Sequence, residues 1–320
     1  MSIRVVVAAL VAALGAGFLL GSGGGHPPAL AEAPPAAPRD LGVPAHAAAV
    51  AKQAARRGVD VYRGVGAWVD MYDAAELGDP WPALVEMRSR GVRTLYFETA
   101  SWRVPSDLDF RDEQAVELYL DEAHALGLRV VAWYLPGLDD LRMDLRRSRA
   151  VLSYVTPRGG QRFDGFAVDI ESQRVRAVPA RNAALMRYSR ALRRLAGPGY
   201  ALGAIVPDLR STTVSPGLWP GFPFRAAARY YDVFLPMAYS TYRGHGGAFT
   251  YRYARANVAG VRALTGGRPV HVIGGLSDGL SAGEAAGFVR GARSAGAIGA
   301  SFYDFAIGQD WAWRALRLFR

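Results

Sequence analysis

Eight short, β-rich apolar runs alternate with longer amphipathic stretches from Val59 to the end of this 320-residue chain. The runs are GVGAWVD (64–70), VRTLYFE (92–98), LRVVAWYLP (128–136), GFAVDIE (165–171), ALGAIVP (201–207), DVFLPMAY (232–239), PVHVIGG (269–275) and IGASFYDF (298–305). Helical spacing predicts crossovers over Pro82 to Arg90, Asp112 to Leu126, Leu141 to Tyr154, Arg181 to Ala196, Tyr253 to Thr265 and Ala282 to Ala295, with a last helix from Trp311 to Phe319. The fifth crossover is weaker: a Pro/Gly-rich loop, then a short helix from Phe224 to Tyr231. Parallel strands need such crossovers, so the pattern points to a parallel α/β fold. Gly91, Gly127, Gly197, Gly266 and Gly296 stand just past the predicted helices, where a left-handed residue ends them. Ser281 with Glu284 reads as a capping box. Eight β/α units over residues 59–320 match a single (β/α)8 TIM barrel. A doubly wound open sheet would need a switch point and a Gly-rich first turn, and GVGAWVD leads to none.

The N-terminus is of another kind. Arg4, the apolar stretch Val5 to Leu20 and the small-residue site Ala29 to Ala31 read together as a secretory signal over residues 1–31. An uncleaved membrane anchor is the alternative. Residues 32–58 form a Pro/Gly/Ala-rich linker before the barrel. The expected location is therefore secreted or cell envelope. The chain has no cysteine, so neither a disulfide nor a lipidated cysteine can help hold it there.

The formal charge is +10, and Lys52 is the sole lysine among 38 basic residues. The arginines are scattered over predicted helices, without the aromatic-interleaved basic tract of a nucleic-acid site, so no nucleic-acid partner is expected. Association with anionic wall polymers fits the charge. The five histidines are dispersed and no metal site is expected. No cofactor is needed, and a monomer is expected.

Barrel active sites lie at the C-terminal ends of the strands. The fourth run, DGFAVDIES, puts two acids there. Side chains alternate along a strand, so Ala167, Asp169 and Glu171 share one face and Phe166, Val168 and Ile170 the other. The small, polar face suits the barrel interior. Alternate residues lie about 7 Å apart, so the two carboxyl groups can interact. Two such acids do not both ionise easily, and the pair can retain a proton. That is what a general acid requires. The bland alternative is a salt bridge to loop arginines such as Arg174 or Arg176.

The other polar or aromatic residues expected at the mouth as substrate contacts are Asp70, Glu98, Trp102, Tyr134, Asp208, Met237, Tyr242, Tyr303 and Asp304. Asp70, Glu98 or Asp304 could face Glu171 as a base or nucleophile. Strand 7 ends in GGLSDG without a glutamate, which argues against an acid pair on strands 4 and 7. Trp68, Trp102, Tyr134, Trp219, Phe222, Tyr239, Tyr242 and Tyr303 together suit a sugar cleft.

DGFAVDIE resembles the strand-4 signature DGxDxDxE of family 18 glycoside hydrolases, the chitinase-like barrels. Asp164, Gly165, Asp169 and Glu171 match it, and the first inner acid of the pattern falls on Ala167. The resemblance implies that Glu171 protonates the glycosidic oxygen and that Asp169 orients the substrate's acetamido group. PMAYS (236–240) resembles that family's M-x-Y-D, with Ser240 in place of the acid. It implies that Met237 lines the pocket and that Tyr239 hydrogen-bonds the acetamido carbonyl. Phe302 or Tyr303 would stand in for the family's strand-8 tryptophan. More widely, the chain resembles a group of exported actinobacterial barrel proteins of glycoside-hydrolase type. The expected function is hydrolysis of a polysaccharide or oligosaccharide, with N-acetylhexosamine implied by the resemblance. The rival is a barrel of the cell envelope that binds glycans without cleaving them.

Overall fold

The computed structural model describes residues 58–73, 78–104, 108–213 and 217–319. The expected signal segment and nearly all of the linker lie outside the described residues. Eight parallel strands close into a barrel in sequential order, with β8 pairing back to β1. They are β1 (Gly64–Val69), β2 (Thr94–Ser101), β3 (Arg129–Leu135), β4 (Gly165–Asp169), β5 (Leu202–Pro207), β6 (Val233–Ala238), β7 (His271–Gly274) and β8 (Gly299–Phe302). Each falls on one of the eight apolar runs.

The helices follow the same order: α1 (Pro80–Arg90), α2 (Glu113–Ala125), α3 (Leu141–Ser153), α4 (Val178–Ala196), α5 (Leu209–Thr213), α6 (Phe224–Ala227), α7 (Gly247–Leu264), α8 (Ala282–Ser294) and α9 (Asp310–Leu316). Their ends obey local chemistry. The Asp112 and Asp140 carboxylates accept the amides of Ala115 and Met143, each at 3.0 Å, and Ser281 with Glu284 closes a capping box. All five glycines expected to stop helices have positive φ, between 71° and 87°. Several boundaries differ from the sequence expectation, two of them by a rearranged element. The α7 helix starts at Gly247 rather than Tyr253, because Glu284 from α8 accepts the Gly246 amide at 2.7 Å and the small residues of both helices let the backbones approach. The weak fifth crossover splits into two short helices, with the Trp219 loop folded between them.

Strand alternation divides the core in two. Residues such as Val69, Phe97, Ala132, Phe166 and Val206 pack outward under the helices. Trp68, Tyr96, Val131, Trp133, Ala167, Ile205, Leu235, Met237 and Ile273 fill the barrel. A 3-10 turn, Gly58–Tyr62, brings Tyr62 into the barrel core, where its hydroxyl donates to the Phe166 carbonyl at 3.0 Å. Glycine at 203 and 299 makes this possible: a Cβ there would come within 2.9 Å of Tyr62 and 2.4 Å of His271, respectively. His271 sits fully buried, its ring nitrogens 2.8 Å from the Tyr62 carbonyl and 3.0 Å from Ser301 Oγ. Burial lowers its pKa to about 4, so it is neutral in the fold. Trp68 stacks on Tyr96 at 4.3 Å and donates to Ser301 Oγ at 2.8 Å, filling the barrel beneath its C-terminal mouth.

Candidate active site

The inward faces of β1, β2, β4 and β8 leave the barrel core carrying acids. Asp70 follows β1, Glu98 stands on β2, Asp169 ends β4, and Tyr303 and Asp304 follow β8. Asp70, Glu98, Asp169, Glu171 and Asp304 are all buried. The fourth strand stops at Asp169 rather than running to Glu171. Its pairing nevertheless persists one step further, since the Ile170 amide donates to the Ile205 carbonyl at 2.9 Å. That bond fixes the backbone between the two acids.

Burial and the Glu171 charge push the Asp169 pKa well above the ordinary carboxylate range. One Asp169 oxygen, Oδ1, is buried without a hydrogen-bond partner among the described residues. Burial also raises Glu171, but Arg103 opposes this with its Nη2 at 2.8 Å from Oε1. Arg103 therefore favours the charged form of Glu171, while Asp169 has no cation within ion-pair distance among the described residues. The ion-pair partner is thus Arg103 from the loop after β2, not Arg174 or Arg176. Arg174 binds Asp139 at 2.6 Å, and the Arg176 carbonyl accepts from Arg181.

Tyr239 follows β6. Its phenol is held neutral by burial and by the nearby charges of Asp169 and Glu171, so it remains a donor. Gly275 makes room for the ring, since a Cβ at that position would lie 2.7 Å from it. Gly274, at the end of β7, and Gly275 just past it thus serve the packing of Phe302 and Tyr239. Met237 lies in the barrel core below, and Ser240 is buried.

On the β1 side, Tyr303 donates its phenol to Asp70 at 2.5 Å, and the ring lies 6.2 Å from Tyr239. Asp70 also accepts the Tyr72 amide at 2.7 Å, and Glu98 accepts the Met71 amide at 3.2 Å. Burial raises both acids, Glu98 further because Asp70 is close. Oxygens of Asp70, Asp73 and Asp304 lie within 4.8 Å of one another, a spacing that a cation or shared protons can satisfy.

The structure gathers Asp70, Glu98, Asp169, Glu171, Tyr239, Tyr303 and Asp304 at one end of the barrel. Other expected contacts have partners elsewhere. Tyr134 packs outward between sheet and helices and donates to Asp144 at 2.6 Å. Asp208 is bound by Arg243 at 3.1 Å and by the Tyr253 hydroxyl. Trp219 and Phe222 are buried against each other within their own loop, with Arg181 over the indole, so neither lines a cleft. Phe302 packs outward on Phe288, which leaves Tyr303 as the strand-8 aromatic near the site. Trp102 is half-buried between the guanidinium groups of Arg103 (5.7 Å) and Arg174 (5.1 Å), and Tyr242 is exposed. Arg103 was legible only as a member of a common residue type. Nothing in its local sequence singled it out among 38 basic residues.

No protein-family pattern matches the sequence, and no curated protein does. The fold is similar to solved glycoside-hydrolase barrels. An exo-β-1,4-mannosidase from Opitutaceae bacterium strain TAV5 aligns with a TM-score of 0.61 at 16% identity, over 80% of this chain and 59% of that one. The chain therefore spans less than two thirds of that protein. A class V chitinase mutant from Cycas revoluta, solved with (GlcNAc)3, gives 0.56 at 14% identity over 80% and 99% of the two chains. The spore cortex-lytic enzyme of Bacillus cereus gives 0.56 at 10% identity over 79% and 73%. At these identities the likeness is one of fold alone: a TIM barrel.

Proposed function

We propose that this protein is a glycoside hydrolase acting on a glycan that contains N-acetylhexosamine. The observation that carries the reading is the buried pair Asp169 and Glu171, both carboxyls raised by burial, with the Tyr239 phenol close enough to feel both charges. Glu171 is the general acid/base. In the first step the substrate's acetamido oxygen attacks the anomeric carbon, and the bond to the leaving oxygen breaks as Glu171 delivers its proton there. Asp169 and Tyr239 orient the acetamido group, the phenol donating to its carbonyl. In the second step Glu171 takes a proton from water, which opens the cyclic intermediate. Trp102, Tyr303 and the acids around Asp70 and Glu98 line the sugar path. Export through residues 1–31, or anchoring by them, and contact with anionic wall polymers belong to the same proposal.

The test is turnover of N-acetylglucosamine oligomers and wall glycans by the purified chain beside Glu171→Gln. Cleavage by wild type that the substitution abolishes supports the role, and cleavage indifferent to it overturns the role. The second reading, glycan binding without cleavage, is favoured by one feature: Ala167 leaves no carboxyl behind Asp169 on the inner face. Tight binding without turnover by wild type would establish it.

A further inference from the structure

We propose that Arg103 receives an acidic group of the substrate beside the scissile bond, so that the site selects hexosamine glycans bearing a carboxylate over neutral ones. This deepens the glycosidase reading and rests on it.

The geometry starts from a pinned loop. The Trp102 amide donates to the Leu135 carbonyl at 3.0 Å, and the Arg103 amide to Ser101 Oγ at 3.2 Å. From there the Arg103 side chain reaches Glu171 at 2.8 Å, across 68 residues of sequence. The Glu171 side chain is 6% exposed and that of Arg103 29%, so the arginine side chain lies nearer solvent than the acid. A glycosidic oxygen that meets Glu171 must arrive where the guanidinium now sits, or beside it. Among the described residues Glu171 is the sole carboxylate within ion-pair distance of Arg103, and Arg103 Nε is buried without a hydrogen-bond partner. The guanidinium thus has donors to spare.

Proton donation requires a neutral Glu171, and that leaves Arg103 without its counter-charge. A neutral sugar cannot replace it. A carboxylate can, and the planar fork of arginine matches a carboxylate through two hydrogen bonds. The exchange frees Glu171 from its ion pair, so that it can take the proton it later donates. Sites built around a charged contact discriminate strongly against ligands that lack its partner. The other groups that face the pair do not repel an anion strongly. Burial biases Asp169 and Glu98 towards their neutral forms, and Tyr239 is a neutral donor. A second cation, Arg174, lies over Trp102 and is paired with Asp139.

Calorimetry on the purified full chain tests this with two acidic probes and their carboxyl methyl esters. One probe is a tetrasaccharide of alternating glucuronate and N-acetylglucosamine. The other is a tetrasaccharide containing N-acetylmuramic acid, whose carboxylate sits on a lactyl ether. At least one acid should bind about tenfold more tightly than its ester, and the probe that does so tells a ring carboxylate from an ether-borne one. Arg103→Gln should bring that ratio to about one, and Arg103→Lys should keep part of it. Equal affinity of acid and ester in both pairs, no binding of any probe, or a preference that survives in Arg103→Gln overturns the proposal. The wild-type comparison needs no variant, so a misfolded substitution leaves the test standing. Failure here is distinct from failure of the glycosidase reading. Neutral N-acetylglucosamine oligomers cleaved as fast as acidic ones would remove only this inference. Acid-selective, Arg103-dependent binding without turnover of any glycan would remove only the enzymatic one.

Discussion

The Asp164 carboxylate meets the His124 ring at 2.9 Å and the Val130 amide at 2.8 Å, at the start of β4 rather than at its mouth. The first acid of DGFAVDIES is therefore a brace between α2, β3 and β4, on the side of the barrel away from Asp169. Such contacts hold the strand that carries the acid pair. Asp164→Ala should cost about 1–3 kcal/mol, because it strips partners from a buried amide and ring. Urea unfolding would measure this, and turnover per folded molecule should stay close to wild type.

The acid pair should behave otherwise. Glu171→Gln should lower kcat by about 100-fold to 10,000-fold, the range for loss of a positioned general acid, while binding of N-acetylhexosamine oligomers persists. Asp169→Asn should also lower kcat, because it removes the carboxyl proposed to orient the acetamido group beside Glu171. Kinetics alongside a binding isotherm for each variant would check both. Unchanged kcat in Glu171→Gln would remove that residue from the chemistry.

Gly275 and Tyr239 offer a paired test of the phenol. Tyr239→Phe should reduce kcat by about 100-fold if the hydroxyl donates in the transition state. Gly275→Ala puts a methyl 2.7 Å from the same ring and must shift it. It should lower kcat in the same direction although it leaves every polar group intact. The backbone at 275 does not have positive φ, so the effect comes from the ring and not from strain.

His271 predicts a pH dependence of stability. Its folded pKa is lowered to about 4 from 6.5, because burial disfavours the charged ring. Above pH 6.5 both folded and unfolded chains hold it neutral, and its contribution is level. As the pH falls from about 6.5 to about 4 the unfolded chain binds a proton that the folded chain refuses, and stability declines, by about 3 kcal/mol in all. The raised carboxyl groups Asp169, Glu98, Asp70 and Asp144 act with the opposite sign, since the folded chain binds their protons first. The difference between wild type and His271→Gln isolates the histidine. In chemical denaturation at pH 7, 6, 5 and 4, wild type should lose stability relative to the variant as the pH drops. Parallel curves would contradict the assignment.

Much of the fold was readable because its causes are local. Periods of 2 and 3.6 residues mark strands and helices, and glycines end helices wherever a left-handed residue is needed. The same alternation placed Ala167 and Asp169 on the inner face of β4, and the structure has them there. Tyr134 is placed by contacts from outside its own strand. It stands on an interior strand near the mouth, but its register turns it outward to Asp144, and a strand end gives no sign of that. The Trp219 loop likewise closes on itself, because burying two large rings and an indole N–H bond to Asn182 outweighs leaving them in water.

The sequence by itself determined an eightfold β/α order and an acid pair at the end of the fourth strand, since both depend on neighbours within one element. Only the tertiary structure decided what those acids touch. Closure of the barrel brings the loop after β2 onto the end of β4 and sets Arg103 on Glu171, and it commits Asp208 to Arg243 and Tyr253. These pairings join residues far apart in the chain, and electrostatic partners are chosen by distance in space, which no local pattern encodes.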